Sequence, residues 1–345
     1  TVNVTDVNEN AQVFTSGSSA SAAENVSDSA VIYTATTTDV DTTGEAITYS
    51  LVDDAGGLFE IDASTGEVTL ATGQSLDYET ATSHNITVRS TDGTNSTDQA
   101  VTINVTDVND TAATDMDLSA TSISEDAAGG TVVGTLSATD ADSGNLFTYS
   151  LTGGATDTFE IVGDELRLKT GASLDYETAT SHPVTVTVDD GNGNTYQEAF
   201  TVNVTDVNDN AQVFTSGSSA SAAENVSDSA VIYTATTTDV DTTGEAITYS
   251  LVDDAGGLFE IDASTGEVTL ATGQSLDYET ATSHSITVRS TDGTNSTDQA
   301  VTVNVTDVND TAATDMDLSA NSIAEDAAGG TVVGTLSATD ADSGN

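Results

Sequence analysis

The sequence predicts an all-β chain built as a tandem array of two-sheet sandwiches, and three observations carry that expectation. Short runs with alternate apolar residues, such as Ile86, Val88 and Val101, Ile103, Val105, recur between clusters of Gly, Asp, Asn and Ser. This is the pattern of half-buried strands separated by turns. A single Pro, Pro183, interrupts the 345 residues, and almost no stretch follows a 3.6-residue period, so the expected helix content is close to none. The third observation is repetition. The stretch TVNVTDVNEN from Thr1 returns as TVNVTDVNDN from Thr201, and the match runs on with few changes, among them Asn85 to Ser285, Ile103 to Val303 and Ser124 to Ala324. Inside that period lies a weaker repeat of half the length, giving the order type A, type B, type A and the start of type B. At 36% apolar and a net charge of −53 the composition leans toward disorder, and the periodic placement of the apolar residues is what overrides it.

The elements follow in order from the DVN segments at Asp6, Asp107, Asp206 and Asp307, each of which closes one strand and opens a polar stretch. Residues 1–10 read as the end of a preceding repeat with its linker, 11–106 as the first repeat and 107–111 as a linker. Residues 112–205 read as the second repeat, 206–210 as a linker, 211–306 as the third repeat and 307–311 as a linker. A unit of about 95 residues with regular turn signals is the size of a two-sheet sandwich. Residues 312–345 form only the start of a fourth repeat, too short to supply a second sheet, and are expected to pack poorly. Both chain ends read as cuts in a longer array.

The charge excludes several partners. With 57 Asp and Glu against 4 Lys and Arg, the surface repels nucleic acid and anionic lipid headgroups. The lack of Cys removes disulfides and thiolate metal sites. No apolar run approaches the roughly 18 residues of a membrane span, so no direct membrane insertion is expected. An enzyme is not expected either: no nucleophile, base and acid stand in a recognisable order, no glycine loop cradles phosphate, and no Trp offers a sugar platform. His84, His182 and His284 share one position, as do Tyr49, Tyr149 and Tyr249, and both sets read as structural.

The acids fall in repeating positions. The first repeat has Glu24, Asp39, Asp41, Asp77, Glu79 and Asp92, with Asp107 and Asp110 in the linker; the second has Glu125, Asp140, Asp142, Asp175, Glu177 and Asp190, with Asp206 and Asp209. The third has Glu224, Asp239, Asp241, Asp277, Glu279 and Asp292, with Asp307 and Asp310. Alternate-residue pairs in extended chain place both carboxylates on one face, which is unfavourable without a counterion. A hard divalent cation suits such a set, because calcium takes about 6–8 oxygen ligands, whereas magnesium demands a compact octahedron and the single His of each repeat argues against zinc. Asp53, Asp54 and Asp98 read as plain surface charge.

In sequence order, AEN at Ala23, DVD at Asp39, FEIDASTGEV at Phe59, LDYE at Leu76, STDG at Ser90 and DVND at Asp107 together resemble a cadherin repeat. The resemblance covers all three complete units and the fragment. Departures are Tyr78, Tyr176 and Tyr278 where the family has Arg, SED at Ser124 in the second repeat, Glu9 in the first linker, and no Pro after the linkers. The second repeat also has FEIVGDEL from Phe159 in place of the T-G hairpin, which leaves that turn's geometry open.

The resemblance implies cadherin-like, Ig-like Greek-key β-sandwiches joined by calcium-binding linkers, with about three Ca2+ at each junction. Carried over by position, the first full junction uses Glu24, Asp77, Glu79, Asn109 and Asp110, the carbonyls of Val108 and Thr111, and Asp140, Asp142 and Asp190. The second uses Glu125, Asp175, Glu177, Asn208 and Asp209, the carbonyls of Val207 and Asn210, and Asp239, Asp241 and Asp292. Each holds seven carboxylates against the roughly six positive charges of three calcium ions. The end junctions keep only part of the set: Asn8, Glu9, Asp39, Asp41 and Asp92 at one end, and Glu224, Asp277, Glu279, Asn309, Asp310, Asp340 and Asp342 at the other. Weaker occupancy is expected there. The function implied is that of a calcium-rigidified extender in a secreted or cell-surface adhesin, in style a bacterial one, with calcium and neighbouring repeats as partners. The alternative is that the repeats themselves bind one another, other cells' surface proteins or polysaccharide.

Overall fold

A computed structural model describes residues 1–41, 46–244 and 246–342, and every described element is a β-strand. By compactness the chain divides into one unit of Thr1–Ser122, Ala128–Ser173 and His182–Asn203, and another of Ile123–Ala127, Leu174–Ser181 and Val204–Asn345. The division runs through the second repeat, so the linker at 107–111 lies inside the first unit and the linker at 206–210 inside the second.

In the first repeat the strands are β1 (Val13–Phe14), β2 (Ser19–Ala23), β3 (Tyr33–Thr34), β4 (Thr37–Thr38), β5 (Thr48–Asp53), β6 (Phe59–Ile61), β7 (Glu67–Leu70), β8 (Ser83–Thr91) and β9 (Ser96–Thr106). One sheet has the order β2-β9-β8-β5, another β3-β7-β6, and β1 pairs with β4. Alternation does what the sequence reading requires of it. Ile86 and Val88 on β8, and Val101, Ile103 and Val105 on β9, all point inward and are buried with Phe59, Val68 and Leu70 in one core, while the intervening Thr, Asn and Arg stay at the surface. Burying such side chains contributes about 1.5–3 kcal/mol each relative to exposure. Tyr49 on β5 packs against this core, and His84 on β8 meets Phe59 edge-on at 6.0 Å, so both are structural, as the sequence suggests. Asp98 forms an exposed two-pronged pair with Arg89, a partner its reading as plain surface charge leaves out.

Strand β2 is the element that places the acids. It pairs parallel to β9, Ser19 opposite Thr102 through Ala23 opposite Thr106, in a set otherwise antiparallel. Small Ser and Ala side chains let it lie there, and the pairing delivers the next residue, Glu24, to the end of β9, where its N–H donates to the Thr106 carbonyl at 3.2 Å.

The second repeat has β10 (Asp115–Leu118), β11 (Ser122–Ser124), β12 (Val132–Thr139), β13 (Thr148–Gly154), β14 (Phe159–Val162), β15 (Glu165–Leu168), β16 (Ser181–Asp189) and β17 (Thr195–Thr205). The sheet orders are β10-β12-β15-β14 and β11-β17-β16-β13. The turn left open by the sequence resolves as a tight one: β14 pairs with β15 to Val162 opposite Glu165, leaving only Gly163 and Asp164 between them, with Gly163 at φ +68°, a conformation glycine reaches without strain. Met116, Leu136, Val186 and Val188 centre its core. The strands of 211–306 repeat those of the first repeat at an offset of 200 with the same pairings. Among the described residues, the strands Asp315–Leu318 and Leu336–Thr339 pair with each other, and every residue in them is exposed.

Candidate metal centre

The geometry at the 107–111 linker begins with Glu24. It is 4% exposed, and its two oxygens accept from separate backbone N–H groups, Tyr78 N–H at 2.6 Å and Val108 N–H at 2.6 Å. One carboxylate thereby ties the LDYE turn to the linker. In the second unit Glu125 does the same with Tyr176 and Val207 at 2.6 Å each. Glu224 holds Tyr278 at 2.8 Å and Val308 at 2.6 Å.

Around this clip the acids converge. Carboxylate oxygens of Glu24, Asp77 and Glu79 lie within 4.8 Å of one another, as do those of Glu79, Asp110 and Asp142, so residues from the first repeat, the linker and the second repeat share one place. Glu24, Asp77, Glu79, Asp110 and Thr111 line a common recess. In the second unit the sets are Glu125, Asp175 and Glu177, and Glu177, Asp206 and Asp241; Glu224, Asp277 and Glu279 form another.

Local turns aim the remaining acids. Asp77 closes the LDYE turn by accepting from Thr80 N–H and Oγ1, each at 2.8 Å. In the DxD turn Asp142 N–H donates to Asp140 Oδ1 at 3.1 Å, and the linker's Thr111 N–H donates to Asp142 Oδ2 at 2.8 Å. Asp190 Oδ1 is held by Asn192 N–H at 2.8 Å and Asn194 N–H at 3.3 Å. Asn109 Nδ2 donates to Asn145 Oδ1 at 2.6 Å and to the Asp190 carbonyl at 3.4 Å. In the second unit the Asn208 carboxamide stands 3.0 Å from Asp292 Oδ2 and 3.2 Å from Asp241 Oδ2, and turned with its nitrogen toward them it donates to both. Asp209 lies in that linker beside Asn210, whose Nδ2 reaches its Oδ1 at 2.7 Å.

The same contacts recur at 8–10 and at 307–311, where Glu224, Asp277, Glu279, Asp310 and Thr311 line one recess. Glu9 and Asn10 N–H groups donate to Asp41 Oδ2 at 2.9 and 2.7 Å, and Asn95 Nδ2 reaches Asn8 Oδ1 at 3.0 Å. At 307–311, Thr311 N–H donates to Asp342 Oδ2 at 3.0 Å and Asp342 N–H to Asp340 Oδ1 at 3.3 Å. Asp342 is buried although the strands around it are exposed.

Several buried oxygens in these places have no hydrogen-bond partner: Asp107 Oδ1, Asp140 Oδ2, Asp142 Oδ1, Asp206 Oδ1 and Asp342 Oδ1. A buried carboxylate oxygen left unpaired is costly. Hard oxygen donors, mostly anionic, fit a hard divalent cation in a way they fit no soft metal.

The acids also perturb one another. Partial desolvation, followed by the charges of Glu24, Asp142, Asp77 and Asp107, pushes the Asp110 carboxyl up. Asp209 shifts the same way for the same reasons, with Glu125, Asp241, Asp175 and Asp206 as the charges. Glu79 and Glu177 are raised by desolvation and by their neighbouring carboxylates. Asp77 and Asp175 are lowered, by the Thr80 and Thr178 hydroxyls first. Raised carboxyls cost stability when ionised, and that cost is relieved as pH falls through their folded pKa; lowered ones contribute stability that is lost only below the ordinary carboxylate range. Chelated protein is therefore expected to melt higher as pH falls from 7 toward about 4.5, then to lose stability below about 3.5. Melting curves in chelator across that range check it, and a monotonic fall from neutrality would contradict it.

The linker's first Asp is a site residue the sequence-based ligand set leaves out. Asp107 Oδ2 accepts from Ser143 N–H at 2.8 Å and from Ser143 Oγ, and Asp206 Oδ2 from Thr242 N–H and Oγ1, while the other oxygen of each is orphaned. Its recurrence as the first letter of DVN is the signal that marks it. Gln12 and Gln212 are the other omission. They are 1% exposed and sit against Asp39 and Asp92, and Asp239 and Asp292.

Comparison with known proteins bears on this arrangement. The family model "Cadherin domain" matches residues 18–106, 119–207 and 218–306. Protocadherin Fat 4 of Homo sapiens is 34% identical over 168 residues, covering 47% of this chain and 3% of that protein; the chain spans less than a tenth of the length of the curated relatives it matches. Among solved structures, the protocadherin GammaB4 extracellular domain is 27% identical with a TM-score of 0.69, covering 99% of this chain and 58% of that one. The protocadherin gammaB7 EC3-6 cis-dimer structure is 26% identical with a TM-score of 0.65, covering 96% and 84%. With three matched repeats across most of its length and the same sandwich fold, the chain belongs to the cadherin domain family.

Proposed function

We propose that this segment is a calcium-rigidified extender of a secreted or cell-surface adhesin, serving cell adhesion by holding consecutive repeats in fixed relation. The observation that carries the reading is the set of orphaned buried oxygens on Asp107, Asp140, Asp142 and Asp206, beside carboxylates gathered within 4.8 Å. Calcium supplies positive charge and accepts about 6–8 oxygens. Glu24, Asp77, Glu79, Asp107, Asn109, Asp110, Asp140, Asp142 and Asp190, with the Val108 and Thr111 carbonyls, are the donors at 107–111. Glu125, Asp175, Glu177, Asp206, Asn208, Asp209, Asp239, Asp241 and Asp292, with the Val207 and Asn210 carbonyls, are the donors at 206–210. About three ions per junction would offset roughly six of the charges on the carboxylates in each set. Repeat boundaries at 11–106, 112–205 and 211–306 place each linker between two donor sets.

Without the ion, like charges from both sides repel and the linker is free to hinge; with it, the same residues hold both repeats. Affinities of roughly 10⁻⁴ to 10⁻³ M, usual for extracellular modules, suit millimolar calcium outside cells. Calorimetry and small-angle scattering of residues 1–310 test this: calcium is expected to bind at several sites and lengthen the particle, magnesium much less. An isotherm and a length that ignore calcium would reduce the acids to a solubility coat.

A second reading, lateral pairing of copies of this chain, draws on the cis-dimer described for protocadherin gammaB7 EC3-6. Sedimentation at rising concentration in calcium separates it from the extender alone.

A further inference from the structure

The linkers entering type A and type B repeats differ, and the difference falls on particular oxygens. Where the type B linker has Thr111 followed by Ala113, the type A linker has Asn210 followed by Gln212. Gln212 Nε2 donates to Asp239 Oδ2 at 3.1 Å and to Asp292 Oδ2; Gln12 repeats both bonds on Asp39 and Asp92. Asn210 Nδ2 donates to Asp241 Oδ1 at 2.8 Å, and Asn10 Nδ2 to Asp41 Oδ1 at 2.8 Å. In the type B repeat the counterparts of Asp239 Oδ2 and Asp241 Oδ1, Asp140 Oδ2 and Asp142 Oδ1, are buried and have no partner, whereas Asp190 Oδ2, the counterpart of Asp292 Oδ2, accepts from Asn194 Nδ2 at 2.8 Å. Thr111 reaches Asp142 Oδ2 through its backbone alone, and Ala113 has no polar side chain. The Oε1 atoms of Gln12 and Gln212 are buried without partners too.

We propose that the two linker types are two grades of cation site: the Gln and Asn carboxamides of the type A linker stand in for positive charge, so its Asp239–Asp241 position takes calcium more weakly than the matching Asp140–Asp142 position of the type B linker. The inference rests on the calcium reading above. Amide N–H groups bonded to ionised carboxylates are among the stronger hydrogen bonds, and a cation meeting those oxygens must displace them and face the positive end of the amide dipole. Asp140 Oδ2 and Asp142 Oδ1 have no hydrogen bond to surrender, and an ion ends the cost of leaving them unpaired. Loss of one hydrogen bond to a charged group corresponds to roughly a tenfold weaker equilibrium or more. Because the types alternate, falling calcium would loosen every second junction first.

Calcium titration of the full chain, followed by calorimetry, is expected to resolve a tighter and a weaker class of site. Gln212→Ala should tighten part of the weaker class about tenfold, and Ala113→Gln should move part of the tighter class into the weaker one. In chelator Gln212→Ala should melt below the parent, since the amide no longer screens Asp239 and Asp292. If Gln212→Ala instead weakens binding, Oε1 is a ligand and the inference is overturned; unchanged isotherms for both variants overturn it as well. No calcium binding by the parent chain would sink the calcium reading itself.

Discussion

Between chelator and about 1 mM free calcium, the melting temperature of the chain rises by on the order of 10 °C or more. The magnitude follows from linkage. An ion that binds the assembled junction and not the unfolded chain stabilises it by RT ln(1 + [L]/Kd), which at 1 mM calcium and a Kd of roughly 10⁻⁴ M is about 1.4 kcal/mol per site. About three sites give a junction about 4 kcal/mol, and for a domain of this size each kcal/mol moves the midpoint by about 4–8 °C. The direction follows from the charges, because the junctions carry the carboxylates that desolvation and mutual repulsion push up, Asp110 and Asp209 among them. Magnesium at the same concentration is expected to give a small fraction of the shift, since it keeps its waters and demands a compact octahedron. Differential scanning calorimetry in chelator, calcium and magnesium checks it; an equal response to both ions would mean screening of a net charge of −53 and not a coordinated site.

The parts of this arrangement legible in the sequence are those whose cause is local. Strands β8 and β9 are long enough for alternation to show, and Ile86, Val88, Val101 and Ile103 are buried as that alternation demands. The DxD, LDYE and DVN acids announce themselves by spacing and by recurring in each repeat. Strand β2 was illegible because SASAA has neither large apolar residues nor contrast between its faces, and its parallel pairing to β9 is a tertiary fact. Two-residue strands such as β3 and β4 are too short to carry a period. Gln12 escaped for a related reason. Nothing in a lone Gln after a linker says that it is buried between aspartates 27 and 80 residues away, and only the folded chain brings them together. Asp107 and Asp206 were visible as repeated acids, but their orphaned oxygens depend on the backbone approach of Ser143 and Thr242.

Replacing Glu125 with Ala is expected to lower stability by roughly 3 kcal/mol or more in chelator and to abolish most of the calcium response of the 206–210 linker. Both oxygens of Glu125 are committed to backbone N–H groups, Tyr176 and Val207, each at 2.6 Å, and the side chain is 7% exposed. Hydrogen bonds to a charged acceptor are worth about 1.5–3 kcal/mol each, and truncation strands both donors in a poorly solvated place. The calcium effect has a separate origin, since the same carboxylate lies within 4.8 Å of Asp175 and Glu177. Glu125→Gln divides the two contributions: its single carbonyl oxygen can keep one backbone bond, so part of the stability should return, whereas the missing charge should keep calcium binding weak. Asp98→Ala is the matched control. Asp98 pairs with Arg89 across side chains 41% and 43% exposed, and such surface pairs contribute about 0–1 kcal/mol. Thermal melts with and without calcium distinguish the cases. If Glu125→Ala falls no further than Asp98→Ala and still answers calcium fully, the clip is incidental. The linker would then owe its order to the DxD and late-Asp turns alone.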